Sequence, residues 1–269
     1  MKRSGIITLL TDFGLRDPYV GIIKGVILSI HPGARIVDLS HQVGAGDIFQ
    51  AAILLQESFS FFPSGSVHVA VVDPGVGGDR RPITVKTEDH FFVGPDNGLF
   101  WPVITGHEKK EVIHLTERKY FLSRVSDTFH GRDIFASAAA HLSLGVDPGE
   151  MGVVINDPVP LLIPQPIERG DILTGQIMRV DRFGNLITNI YRKRLDVFLG
   201  GKSPTFRIGS LVIEGLSRSY TGAKAGQFLA LMGSSDCLEI AVNLGRACDR
   251  LGINEEKMVG AEVKVIKPC

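Results

Sequence analysis

The chain has 269 residues, 44% hydrophobic and 22% charged, which is ordinary for a globular protein and leaves room for one large or two modest domains. No apolar run approaches the ~20 residues that a membrane span requires. Lys+Arg and Asp+Glu number 29 each, for a formal net charge of zero, so nucleic acid is not an expected partner and neither is a membrane.

Residues 5–10 form a short apolar run that reads as a buried strand ending in the carboxylate of Asp12. Lys2 and Arg3 precede it, but the run is too short for a secretion signal, so a cytoplasmic location is expected. Asp17 is placed to cap a helix that has Pro18 at its first position and stops before Pro32-Gly33. A strand at 35–39, a helix at 48–61 capped by Asp47, and a strand at 67–72 ending at Asp73 complete a β-α-β-α-β alternation. That pattern predicts an α/β domain with a largely parallel sheet, whose ligands lie beyond the carboxyl ends of the strands, where Asp12 and Asp73 fall.

Asp73 opens the stretch VVDPGVGGDRR, in which a Pro-Gly-Val-Gly-Gly turn separates the carboxylate from Arg80 and Arg81. Acid, permissive turn and fixed positive charge within a few residues suit the rim of a site. The stretch DTFHGRDIF adds His130 ahead of a helix at 134–144. Taken singly, these motifs favour the plainer reading, with Asp73 and Arg80 pairing across a surface turn and His130 capping its helix.

Segments 82–86 and 90–93 read as a hairpin, Asp96 as a turn residue, residues 111–116 as a strand and His141 as a surface residue. From Asp157 to Gly170 the chain is rich in proline, which predicts a linker, placed most narrowly at 164–170 between domains 1–163 and 171–269. Beyond it, runs at 172–180, 186–191, 211–214, 228–232, 238–242 and 262–266 predict a mostly antiparallel β-barrel. Cys237, Cys248 and Cys269 lack CxxC spacing and read as reduced thiols. There is no GxGxxG, Walker loop or HExxH motif, so no cofactor or metal is expected. Even so, Asp12, Asp73, Asp96 and His130 carry donor atoms that a metal accepts.

In chain order, TDFGLRDPYVG, VDPGVG with its arginines, PDNG, DTFHGRDIF, DRFGNLITNI and SSDCLEIAVN together resemble the S-adenosyl-L-methionine hydroxide adenosyltransferase family, related to the fluorinase and chlorinase. The resemblance implies an α/β domain followed by a β-barrel, a homotrimer, and an active site shared between neighbouring subunits. The implied reaction is hydrolysis of S-adenosyl-L-methionine to adenosine and L-methionine by attack of water or hydroxide on C5′. It gives Asp73, Arg80 and His130 as the catalytic set, without settling which is the base.

The same resemblance implies that Asp12 holds the ribose hydroxyls, that Phe129 lines the ribose, and that Asp17 and Asp181 meet the methionine ammonium. Ser234 is implied for the methionine carboxylate, with Asn185, the backbone around Val242 and Leu244, and Glu239 at the adenine end. The halogenases have tyrosine where this chain has Asp73, and a carboxylate beside the nucleophile repels halide. Gly131 matches the chlorinase but is also what the water-using enzymes carry. The remaining alternatives are a halide-using enzyme and a non-catalytic S-adenosyl-methionine or adenosine binder.

Overall fold

A computed structural model describes residues 1–252 and 254–268, so Cys269 lies outside the described residues. The chain divides into two compact units, Met1–Leu161 and Leu162–Cys269, with the division falling in the proline-rich stretch.

The first unit is built on a seven-stranded sheet: β1 (Ile6–Thr11), β2 (Arg35–Ser40), β3 (Ser66–Val71), β4 (Pro82–Lys86), β5 (His90–Pro95), β6 (Glu111–Leu115) and β7 (Gly152–Ile155), in the order β2-β1-β3-β5-β4-β6-β7. Strands β2, β1, β3 and β5 run parallel, and β4, β6 and β7 add on antiparallel. The expected 82–86/90–93 hairpin is the β4–β5 pair. Every residue of β3 is buried because both sheet faces are covered. Val67, Val69 and Val71 point to a cluster with Ile23 and Ile27 of α1 (Tyr19–Ile30), while Ala70 joins a second cluster with Ala51 and Leu55 of α2 (Ile48–Ser58). Each of the fully buried Val, Ile and Leu side chains contributes roughly 1.5–3 kcal/mol.

Two of the polar exceptions in this core, Thr8 and His68, satisfy each other. His68 on β3 bonds Thr8 Oγ1 at 2.8 Å, lies 3.2 Å from His90 Nδ1 and stacks on Phe92. Burial, then the neighbouring His90, push its pKa down to about 3, so it is a neutral core residue.

Several local expectations are corrected. Asp47 does cap α2, accepting from Gln50 N, but Asp17 does not cap α1: Pro18 holds that position, no side chain caps it, and Asp17 is exposed. The helix expected from Ile134 begins earlier, as a π-helical turn over Gly131–Ala136 that continues into α4 (Ser137–Ser143) after the short α3 (Trp101–Gly106). His141 is half-buried against the ring of Tyr120, and burial lowers its pKa. Asp96 is more than a turn residue: it is buried, pairs with Arg81 and accepts from Val159 N at 2.8 Å. Asp157, at the start of the expected linker, pairs with the same arginine.

In the second unit the strands are β8 (Ile167–Arg169), β9 (Ile172–Val180), β10 (Leu186–Tyr191), β11 (Thr205–Ile208), β12 (Leu211–Glu214), β13 (Phe228–Met232), β14 (Cys237–Val242) and β15 (Glu262–Ile266). All pair antiparallel in the order β12-β11-β15-β9-β10-β14-β13, with β8 beside β9. A bridge between Ser217, just past β12, and Leu231 on β13 nearly closes the sheet into the expected barrel. Strand β8 lies inside the stretch read as linker, which is therefore structured at its end. Cys237 and Cys248 are buried. Among the described residues no helix is long and apolar enough to cross a membrane.

Candidate active site

The parallel half of the first sheet places the ends of β1 and β3 side by side, since Thr11 pairs with Val71. Asp12 lies one residue beyond Thr11 and Asp73 two beyond Val71, so adjacent parallel strands present both carboxylates at one end of the sheet. After Asp73 the chain turns, with Val76 N donating to Asp73 O and Gly78 N to Gly75 O. Gly77, at φ +79°, is required twice over: its backbone is left-handed, and a Cβ would collide with the Asp127 carbonyl oxygen. That close approach sets the 127–130 segment beside the turn.

The turn returns Arg80 to the carboxylate it left. Arg80 Nε donates to both oxygens of Asp73 at 3.0 Å, Nη2 donates to Oδ2, and the same Nη2 donates to His130 Nδ1 at 2.7 Å. The side chains of Asp73 and Arg80 are 5% and 9% exposed, so this is a buried pair and not the surface pairing that the motif taken singly favours. Arg80 Nη1 is buried with no hydrogen-bond partner among the described residues. Burial, and then the Arg80 charge, lower the pKa of His130 against the opposing pull of Asp73, Asp133 and Asp127. Guanidinium only donates, so Nδ1 of His130 is an acceptor and the neutral ring carries its proton on Nε2.

His130 immediately precedes the π-helical turn and caps nothing with its side chain. The turn is anchored by Asp133, fully buried, which pairs with Arg132 and accepts from Ser126 N and Oγ at 2.8 and 2.7 Å. Single π turns recur at functional sites, where they redirect one side chain.

These elements enclose a cleft of about 550 Å³ whose walls include Asp12, Phe13, Tyr19, Asp73, Phe129 and His130, a size suited to a small ligand. Phe13, Tyr19 and Phe129 stack edge to face at 5.2–5.9 Å. Asp12, Asp73, Phe129 and His130 are thus brought together, with Arg80 behind them, whereas Asp17 is not a wall residue. Tyr19, Val76 and Thr128 were missed. For Thr128 the signal was its place beside Phe129 and His130. Among the described residues no cluster of His, Cys, Asp and Glu has metal-binding geometry.

The second unit gathers part of the other candidate set. In the DRFGN turn, Asp181 accepts from Asn185 N and Nδ2 at 2.9 and 3.0 Å. Asn185 Nδ2 also reaches Tyr220 Oη at 3.5 Å, and Tyr220 donates to the buried Glu239 at 2.9 Å. Burial first, and then this carboxylate, push the Tyr220 pKa up to about 12. Val242 is a core side chain, Ser234 is exposed, and Leu244 is 89% exposed at φ +55°. Tyr220 was missed, because an isolated tyrosine in a polar loop carries no sequence signal.

Known proteins resemble this chain over most of its length. Residues 7–152 match the N-terminal domain, and residues 175–260 the C-terminal domain, of SAM hydroxide adenosyltransferases. The chain is 37% identical to the (R)-S-adenosyl-L-methionine hydrolase of Thermus thermophilus, over 91% of this chain and 95% of that protein. It is 29% identical to a fluorinase of an Actinoplanes species, over 71% and 73%. A crystal structure of an uncharacterized conserved protein from Thermotoga maritima superposes with a TM-score of 0.89 at 34% identity, covering 97% of this chain and all of that one. With both of its domains matched, the chain belongs to the S-adenosyl-L-methionine hydroxide adenosyltransferase family.

Proposed function

We propose that the protein hydrolyses S-adenosyl-L-methionine to adenosine and L-methionine by attack of water on C5′. The observation that carries this reading is the buried Asp73–Arg80–His130 set at the wall of the cleft, in a chain that resembles named (R)-S-adenosyl-L-methionine hydrolases at 34–37% identity.

The substrate already contains a good leaving group, because methionine departs from the sulfonium as a neutral thioether. The protein's task is to hold a water in line with the C5′–S bond and take its proton. As the C5′–O bond forms, the C5′–S electron pair passes to sulfur. His130 is a poor candidate for the base, since Nδ1 is engaged by Arg80 and Nε2 already carries the proton. Asp73 is therefore the base in this scheme, and His130 donates from Nε2 to the attacking oxygen. Arg80, behind these two, holds them in place by donating to both the Asp73 carboxylate and His130 Nδ1. Asp12 and Phe129 hold the ribose. Water is preferred to halide because Asp73 places negative charge beside the nucleophile.

Binding of the methionine end by Asp17, Asp181 and Ser234, and of the adenine end by Asn185, Glu239 and the Val242 and Leu244 backbone, is part of the proposal, as are a cytoplasmic homotrimer and a scheme without metal or cofactor. The family resemblance supports these. Incubation with S-adenosyl-methionine in excess chelator should give adenosine and methionine at an undiminished rate. S-adenosyl-homocysteine or free adenine as product, or arrest by chelator, would count against the scheme. Light scattering of the active enzyme should give about three chain masses, and an active monomer would remove the trimer from the proposal.

A further inference from the structure

A second set of buried polar contacts, which the scheme above does not use, stands directly behind Asp12. Thr11, the last residue of β1, is 1% exposed, and its Oγ1 lies 2.8 Å from Nδ1 of His41, which is 4% exposed. The same Oγ1 accepts from Phe13 N at 3.3 Å. The hydroxyl proton is then free to be donated to Nδ1, which leaves the imidazole proton on Nε2. Nε2 lies 3.1 Å from Asp38 Oδ1, close enough for attraction although off the hydrogen-bond axis. Asp38 in turn pairs with Lys24 on α1 at 2.6 Å. This Asp-His-Thr order resembles a nucleophilic triad, but the buried Thr11 hydroxyl is not among the walls of the cleft, so nucleophilic catalysis is not its use.

What the contacts do is bracket two residues. Beyond the side-chain bond to Thr11, the His41 carbonyl accepts from Gly14 N at 2.7 Å. The loop that starts at His41 then reaches Gly46, whose N–H donates to Asp12 Oδ2 at 2.8 Å. Residues 11, 12 and 14 are therefore each tied to the 41–46 loop, and the residues so held, Asp12 and Phe13, are walls of the cleft, as is Gly46 itself. With one lone pair of Asp12 spent on Gly46, the carboxylate is oriented with Oδ1 making no hydrogen bond among the described residues.

We propose that His41 is a positioning residue for the ribose site: by clamping Thr11 and Gly14 it fixes the direction in which Asp12 presents its carboxylate to a vicinal diol. The inference rests on the ribose role of Asp12 given above. It predicts that the contribution of His41 is selective for the sugar hydroxyls and passes through Asp12.

The test is calorimetric titration of adenosine and of 2′,3′-dideoxyadenosine, whose ratio of affinities isolates the diol. His41→Ala should cut the preference for adenosine by about tenfold, the factor that one lost buried hydrogen bond supplies. His41→Asn, which puts Oδ1 where Nδ1 stood and so keeps the bond to Thr11, should restore most of it. Thr11→Val should reproduce the loss in a side chain of nearly the same shape, and it serves if the alanine variant does not fold. The Asp12→Ala/His41→Ala double variant should discriminate no worse than Asp12→Ala alone, because the two act in series. A His41→Ala or Thr11→Val protein that keeps the full preference, while Asp12→Ala loses it, overturns the positioning role and leaves the ribose role standing. Full preference in Asp12→Ala overturns both.

Discussion

Replacing Asp73 with asparagine is expected to lower kcat by about 10²–10⁴-fold, the usual range for loss of a positioned acid or base, with far less change in substrate affinity. The side chain keeps its shape, so the loss isolates the charge and the proton acceptor. His130→Ala is expected to fall in the same range, because it removes the Nε2 donor and the partner of Arg80 Nη2. Near-normal turnover in either variant would remove that residue from the mechanism.

Arg80→Met is expected to be different in kind, since it leaves the Asp73 carboxylate buried without its cation, which typically costs about 3–5 kcal/mol of stability. It should lower the melting temperature as well as the rate. A pH profile gives an independent check on His130. Its pKa is lowered by burial and by Arg80, so the neutral, working ring persists below the ordinary value of about 6.5, and activity should fall only as pH drops through the depressed folded pKa. The same depression means that the unfolded chain takes up the proton first, so this residue costs stability as pH falls below about 6.5. In Asp73→Asn the raising influence of the carboxylate is gone, and whatever acid limb remains should move to lower pH.

The second large effect is expected at Asp12. Two charge-assisted bonds to the ribose hydroxyls are worth roughly 1.5–3 kcal/mol each, so Asp12→Ala should weaken adenosine binding by about 10²-fold or more. These contacts exist equally in ground and transition states, so KM should rise while kcat changes much less. This pattern is the reverse of that at Asp73. Titration showing unchanged affinity for adenosine would count against the ribose role.

Much of the architecture was legible because the two periodicities differ sharply along the chain. Strand-helix alternation up to β3, and short strands punctuated by Gly, Ser and Asn beyond residue 171, each follow from which faces must be buried. Asp12 and Asp73 could be placed together from sequence because parallel neighbours finish at the same end of the sheet. What could not be read were contacts whose partners are far apart in the chain. The Arg80 bond to His130 spans 50 residues, and the His41 bond to Thr11 spans 30. Asp96 has the sequence of a turn, PDNG, and becomes a buried ion-pair partner only because β4 returns Arg81 to it. The early start of the helix after His130 was equally hidden, since it depends on Asp133 being satisfied by Ser126 and Arg132 and not on apolar spacing. Asp17 failed as a cap because Pro18 takes the position itself.

Direct attack of water on C5′ is the central claim, and isotope placement tests it most directly. In ¹⁸O-labelled water, the label must appear on the 5′-oxygen of adenosine, because water's oxygen becomes the new hydroxyl as the C–S bond breaks. Mass spectrometry of the nucleoside after single-turnover reaction should find one heavy oxygen per adenosine, retained when the label is followed to the 5′-position. Adenosine formed without label, release of adenine with an unlabelled C5′ fragment, or efficient 5′-chloro-adenosine formation when chloride is added would contradict it.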